Sequence, residues 1–519
     1  MNEIKEVTRK AISASGRDCQ PTDSRQPKKL PTQTPPSRAA RQLTRLPVPR
    51  DNEILVVPLG GAGRIGMNWT LYGTSGRWLL VDAGMAFPEG ERDGVEAIIP
   101  DPAILAPILD RLDGLVVTHA HEDHIGAIDR VWPHAISCPI YATPYASEII
   151  ARRMDEAGTL EDADIRTFPV GGSFRVGAFS VQSVRMTHSV PEAVSLALTA
   201  AAGTVLHTGD WKLDPSPLLG LPTDTDAIRR LGDAGLLALV CDSTNAEHDL
   251  PVTSETEVRE AFRRIAATRK GIVVFCCFSS NIARIASAAV AAGESGRKVA
   301  ITGRSMRNNE AVADGLGLFS GVPSFLAEPS HLQGLDRRET ALVCTGSQGE
   351  ERAALARLAR GDWRLPALGR GDTVVMSARV VPGNEAAVES VLSRLRARGV
   401  EILVAGDRVD GHPIHVSGHP GRRELMTMHA MARPRFALPV HGEPQHLAAH
   451  AELALACGAE AAPIVNEGDV LSVSASGLRQ LGCLRTRLLH LRNDREGNRV
   501  PLAAMRVPQG VRRETAIAA

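Results

Sequence analysis

The feature that most constrains this chain is Thr118-His119-Ala120-His121-Glu122-Asp123-His124, set directly behind the apolar run GLVV. Side chains two apart on an extended segment share a face, so His119 and His121 converge on one point. Asp123 and His124 follow where the run gives way to a helix, and they face a second point beside the first. Imidazole and carboxylate without thiolate suit zinc or manganese. The bland alternative is a solvated polar loop. It must accommodate three histidines and two carboxylates within six residues.

Three further apolar runs end in a ligand-type residue: VQSVRMTHS at His188, GTVLHTGDW at Asp210 and RFALPVHGE at His441. Singly, each is an ordinary polar residue at a strand end. Together with the first cluster they complete two shells. His119, His121 and His188 would hold one divalent ion, Asp123, His124 and His441 a second, and Asp210 would bridge them. Asp82, ending RWLLVDAG, is expected to orient these ligands from behind. Two such ions about 3.5–4 Å apart activate water and clamp a phosphoryl centre.

The formal net charge of zero hides an asymmetry. Residues 1–50 carry eleven Lys/Arg against four Asp/Glu, residues 485–519 carry eight against three, and the body between is acidic. Such a body binds a polyanion only where bound cations and local basic patches reverse the field. Aromatic residues make up 3% of the chain, so base-stacking platforms are scarce. Eight cysteines without a CxxC pair indicate neither a disulfide framework nor a cysteine zinc knuckle. There is no N-terminal apolar segment and no run of about 18 apolar residues, so no membrane partner is expected and the cytoplasm is the expected location.

At 519 residues the chain exceeds one compact core. Residues 1–50, with seven prolines, read as a disordered basic arm. Short β-branched runs follow from residue 53, with a hairpin signal at Gly73-Thr74-Ser75-Gly76. Helical periodicity at 254–269, 280–293, 350–360 and 384–398 alternates with the strand-like GIVVFCCF, KVAITG, TALVCTG and DTVVMSA, which predicts a parallel α/β layer. Strands return at VEILVAG and RFALPVHG, and again near 470–474.

The His-x-His-x-Asp-His run, with the later His188, Asp210 and His441, is similar to the metallo-β-lactamase superfamily. LGGAGRIGMN, VDAGMAFPE, HTGDWKLD, CDSTNAE, ITGRSM, TGSQGE, PGNE, HVSGH and PVHGE resemble its β-CASP branch, and within that branch the ribonuclease J family. The resemblance spans about residues 53–475. It implies an α/β architecture, an αββα metallo-β-lactamase sandwich interrupted by a β-CASP α/β domain. The first part of the sandwich is expected at 51–250, the insertion at 251–397 and the second part at 398–475. A short basic tail is expected at 476–519, with the C-terminal domain of the family absent or reduced.

The implied activity is metal-dependent 5′-to-3′ exonuclease and endonuclease cleavage of RNA in the cleft between the domains, in RNA processing and decay. The implied cofactors are two divalent ions, zinc foremost and manganese or magnesium as alternatives. The implied partner is RNA, preferably 5′-monophosphorylated, and a homodimer weakened by the reduced C-terminus. In the family pattern Asp242, His419 and His441 match three successive β-CASP motifs. His419 is then the proton donor to the leaving 3′-oxygen and Asp242 its orienting carboxylate. Ser279, Ser280, Asn281, His415, Val416, Ser417, Gly418 and His419 match positions that hold substrate phosphate and sugar. Two departures stand out. Ala283 occupies a position where the family usually carries histidine, which predicts a weakened preference for 5′-monophosphate, and Pro420 follows His419 where a small residue is usual. Two other readings remain open, a small-molecule hydrolase on the same fold and a weakly active RNA-binding partner subunit. The inserted domain argues against the first and the complete ligand set against the second.

Overall fold

The computed structural model describes residues 41–88, 95–362 and 364–492. Two sheets stack face to face. The larger has nine strands, in the order Gln42–Leu43, Gly477–Leu484, Asp469–Ser474, Ile54–Gly60, Trp69–Thr74, Arg77–Val81, Leu112–Val116, Ile140–Ala142 and Ile165–Thr167. The smaller has six: Phe436–Val440, Ala238–Asp242, Gly203–His207, Val194–Ala200, Phe179–Arg185 and Ser173–Val176. The two-residue period of a strand divides each apolar run between two cores. Ile54 and Val56 face Val181, Leu196, Val240 and Leu438 between the sheets. Leu55 and Val57 face outward, into a layer that includes Ile128 and Ile149. On the far side, Leu206 and Leu239 pack under Ile228, Leu425, Met428 and Leu453 of three helices. Helices therefore cover both outer faces, giving the αββα order, and each fully buried Leu, Ile or Val contributes about 1.5–3 kcal/mol. The expected hairpin forms at Ser75-Gly76, both with positive φ, between Trp69–Thr74 and Arg77–Val81.

The inserted domain is a five-stranded parallel sheet in the order Lys298–Thr302, Thr340–Cys344, Val273–Cys276, Thr373–Met376 and Glu401–Leu403. Its central strand is buried on both faces. Phe275 packs against Phe262 with the rings tilted and their centroids 4.5 Å apart, while Val274 packs with Leu355 and Leu392. The helices Glu255–Thr268, Ile282–Glu294, Ala354–Arg360 and Glu385–Ala397 lie within a few residues of the expected periodic segments.

Three expected boundaries are corrected. The strand Glu401–Leu403 pairs with Thr373–Met376, so the insertion continues past residue 397. A short, half-buried edge strand carries no pattern that says which sheet it joins. The segment expected to be a tail from 476 instead supplies Gly477–Leu484, hairpinned onto Asp469–Ser474, and Leu488–Leu491, paired with Ala97–Pro100. The end of the expected arm is also ordered, since Gln42–Leu43 runs parallel to Cys483–Leu484 and Leu46 is buried. The rest of the arm, 1–40, and the rest of the tail, 493–519, lie outside the described residues. Among the described residues no helix is long and apolar enough to cross a membrane.

Candidate metal centre

The first cluster sits where the strand Leu112–Val116 ends and the short helix Glu122–Ile125 begins, with His121 as its N-cap. Gly84 lets the neighbouring VDAG loop close on this turn, because a Cβ there would lie 1.7 Å from the carbonyl oxygen of Asp123. Asn68 fastens the same residue by donating from Nδ2 to that oxygen at 3.1 Å. His188 follows the strand Phe179–Arg185, Asp210 follows Gly203–His207, and His441 follows Phe436–Val440. All come from strand ends on one rim of the sandwich. Asp82 and His441 hold positive φ, 60° and 52°, a strained conformation for non-glycine residues that is concentrated at functional sites.

The seven side chains gather into two overlapping groups, His119, His121, His188 and Asp210, and Asp123, His124, Asp210 and His441. In the first, His121 Nδ1 lies 3.1 Å from His119 Nε2 and 3.0 Å from His188 Nε2. Asp210 Oδ2 is 3.7 Å from both of those Nε2 atoms. In the second, Asp123 Oδ2 is 3.0 Å from His441 Nε2 and 3.5 Å from His124 Nε2. Asp210 Oδ1 is 3.2 Å from His124 Nε2. The two oxygens of Asp210 thus turn towards different groups.

Outer partners determine which ring nitrogen each histidine presents. Thr118 Oγ1 donates to Asp82 Oδ2 at 2.8 Å and so accepts from His119 Nδ1 at 3.0 Å. His124 Nδ1 donates to Asp82 Oδ2 at 2.7 Å, and His188 Nδ1 to the carbonyl of Gly418 at 2.7 Å. Thr244 Oγ1 donates to Asp242 Oδ1 at 2.7 Å and accepts from His441 Nδ1 at 2.9 Å. With Nδ1 committed, all four rings present Nε2 inward, as a lone pair on His119 and His188 and as a proton on His124 and His441, whose pKa values the neighbouring carboxylates raise. His121 is the exception, presenting Nδ1 while its Nε2 lies 3.4 Å from Ser189 Oγ.

These residues fit divalent ions. Burial, with neighbouring imidazoles adding to it, holds His119 and His188 well below the usual imidazole range, and burial brings His121 to about 4. As neutral rings, His119 and His188 both point a lone pair at His121 Nδ1, which has one proton at most. Asp210 Oδ1 is buried without a hydrogen bond of proper geometry. A cation removes both frustrations. Burial opposes ionisation of Asp210, but His441 and His124 outweigh it and hold the carboxyl well below its usual range. The donors, five imidazoles and two carboxylates, are of the kind that hold divalent metal ions.

His419 belongs to neither group. Its ring stands over the centre, with centroids 5.2 Å from His188 and 5.4 Å from His441, and it keeps 23% of its side-chain surface exposed. Its Nδ1 donates to Asp242 Oδ2 at 2.8 Å. Burial opposes protonation of His419, but Asp242 and then Asp210 raise its pKa above the ordinary imidazole value. On the facing domain, Ser279 and Ser280 are half-buried and Asn281 caps the helix Ile282–Glu294, its Oδ1 accepting from Arg284 N at 3.0 Å. Ala283 is buried in the first turn of that helix. His415 Nδ1 accepts from the Arg284 guanidinium at 2.9 Å, so the neutral ring offers Nε2–H; burial, then Arg284, pushes its pKa to about 3. Val416 O also accepts from Arg284, and Ser417 Oγ accepts from His419 N at 3.1 Å. Gly418 lies so close to His188 that a Cβ would be 2.9 Å from its Cε1.

Asn68, Thr118, Thr244 and Arg284 were not given roles by sequence reasoning. The first three lie inside quoted motifs, but only the outer hydrogen bonds reveal what they do. Arg284 carried no signal beyond its place two residues into a helix.

Comparison with known proteins bears on this geometry. Residues 77–275 match the beta-lactamase superfamily domain, 270–395 the ribonuclease J beta-CASP domain and 410–462 the Zn-dependent metallo-hydrolase RNA specificity domain. The chain is 42% identical to ribonuclease J of Sinorhizobium meliloti over 429 residues, covering 82% of this chain and 75% of that one. It is 37% identical to ribonuclease J 1 of Streptococcus pyogenes, covering 83% and 77%, and 37% identical to ribonuclease J of Mycolicibacterium smegmatis, covering 80% and 74%. A crystal structure of a protein of unknown function from Enterococcus faecalis aligns with a TM-score of 0.53 at 14% identity, covering 84% of this chain and all of that one, which shows the shared fold. With a metallo-β-lactamase sandwich, an inserted β-CASP domain and these relatives, the chain belongs to the ribonuclease J family of metal-dependent, RNA-binding ribonucleases.

Proposed function

We propose that His119, His121, His188 and Asp210 hold one zinc ion, that Asp123, His124, His441 and Asp210 hold the other, and that His419 is the proton donor of RNA cleavage. The observation that carries this reading is the division of seven ligand-type residues into two groups around Asp210, with His419 poised above them on Asp242. When bound, two divalent ions supply an activated water and neutralise charge on the non-bridging phosphoryl oxygens. The protein's own part is to hold the ligands in their tautomers and deliver one proton. His419 gives that proton from Nε2 to the departing 3′-oxygen, and Asp242 holds the imidazole charged and aimed.

The substrate we infer is RNA with a 5′-monophosphate, shortened from that end and also cut internally. Ser279, Ser280, Asn281, His415 and Ser417 are its phosphate and sugar contacts on the two walls. Asn281 Oδ1 and Ser417 Oγ already accept hydrogen bonds from the protein, leaving the serine hydroxyls, the Asn281 Nδ2 amide and His415 Nε2–H as the donors. A homodimer and zinc rather than manganese or magnesium belong to the same reading. The test is hydrolysis of one end-labelled RNA bearing a 5′-monophosphate, 5′-triphosphate or 5′-hydroxyl, with zinc or manganese added. Mononucleotide release, fastest from the monophosphate, supports the reading; equal rates from all three ends contradict it.

A further inference from the structure

Asn245 lies three residues beyond Asp242 and is fully buried. Its Nδ2 donates to Ser417 Oγ at 3.0 Å and to the His419 carbonyl at 3.2 Å, and its Oδ1 accepts from an Arg379 guanidinium nitrogen at 3.0 Å. A guanidinium only donates and a carbonyl only accepts, so these partners fix the amide orientation; reversing it would leave both opposed. A β-bridge also joins Asn245 to Gly421. The loop 417–421 is thus laid along Asn245 by main chain and side chain, while Asp242 of the same turn grips the His419 imidazole.

Arg379 comes from the inserted domain, just beyond the strand Thr373–Met376, and is exposed. Its own backbone is tied in place, since Gln348 Nε2 donates to its carbonyl at 2.9 Å. One buried carboxamide therefore links the insertion to the loop that carries His419.

We propose that Asn245, braced by Arg379 of the inserted domain, is a positioning residue that aims the proton donor His419. This rests on the reading of His419 as donor and extends it. The inserted domain then does more than wall the cleft, because its Arg379 holds the acceptor side of the amide whose donors hold His419.

The test compares two phosphodiesters in Asn245→Ala, Arg379→Met and His419→Ala. One is 5′-monophosphorylated RNA, whose 3′-oxygen needs a proton. The other is bis(p-nitrophenyl) phosphate, whose nitrophenolate leaves without one. Asn245→Ala is expected to lower kcat on RNA by about ten- to a hundredfold, the order of loss from misplacing a catalytic group by about an ångström. Arg379→Met, which removes one hydrogen bond, is expected to lower it by about three- to tenfold. Arg379→Met should keep KM on RNA, and both should keep wild-type metal content and nearly wild-type turnover of the nitrophenyl ester. Asn245→Ala opens a buried site; if it does not fold, the exposed Arg379→Met carries the test. Equal losses on both esters overturn the proposal in favour of a structural role. A raised KM with a flattened salt dependence and intact kcat in Arg379→Met overturns it in favour of a phosphate contact. If His419→Ala itself slows both esters alike, the proton-donor reading fails and this inference with it. If His419→Ala alone shows a loss confined to RNA, only this inference fails.

Discussion

His419 Nδ1 lies 2.8 Å from Asp242 Oδ2, while Thr244 Oγ1 donates to the other oxygen, Asp242 Oδ1, at 2.7 Å. One carboxylate thereby joins the ring above the centre to the outer partner of His441. Replacing His419 by Ala is expected to leave both ions bound and to slow RNA turnover by about 10²–10⁴-fold, the usual span of general acid catalysis. Elemental analysis alongside single-turnover kinetics checks this. Loss of metal together with activity would make His419 a ligand.

Asp82 Oδ2 accepts from both His124 Nδ1 and Thr118 Oγ1, and so controls the presentation of His124 directly and His119 through the threonine. Asp82→Asn is expected to weaken metal affinity by about 10–100-fold, as outer-partner changes typically do. Competition against a chromogenic chelator measures it. Unchanged affinity would mean that the two histidines are held by packing alone.

Arg284 and Glu255 form a buried ion pair at the crossing between the domains, with side-chain exposures of 1% and 6%. The same guanidinium reaches Ser377, His415 and Val416. Arg284→Met strands the carboxylate, and a stability loss of about 3–5 kcal/mol is expected in urea unfolding. A loss under about 1 kcal/mol would show that the pair adds little beyond its own desolvation cost.

How legible the chain was from sequence differs by element. His-x-His-x-Asp-His could be read because a strand and then a helix place successive residues on fixed faces, and the helix Glu122–Ile125 starts where the periodicity changes. The inserted helices could be read from their period and their alternation with β-branched runs. The strand Glu401–Leu403 could not be assigned to its sheet, nor Gly477–Leu484 and Leu488–Leu491 to theirs, because strands that are half-buried or partly exposed carry little apolar alternation and take their place from their partners. Asn245 and Arg284 were invisible for the same reason, since their hydrogen bonds span 172 and 131 positions.

Ala283 is buried in the first turn of the helix Ile282–Glu294. Ala283→His is expected to sharpen the kcat/KM preference for 5′-monophosphate over 5′-hydroxyl RNA by about ten- to a hundredfold, the value of one charge-assisted hydrogen bond. Both RNAs need one fixed salt concentration, because phosphate contacts make binding salt-dependent. An unchanged ratio would show that position 283 does not face the phosphate.

The most direct test of two ligand groups sharing Asp210 is to titrate zinc into chelator-stripped protein while following RNA hydrolysis and bound metal together, for wild type, His121→Ala and Asp123→Ala. Wild type should bind two ions per chain, with activity rising as the second equivalent is added. Each variant should keep the fold, bind one ion or none and lose hydrolysis. Full activity at one ion per chain, in either variant, or in excess chelator would contradict the account.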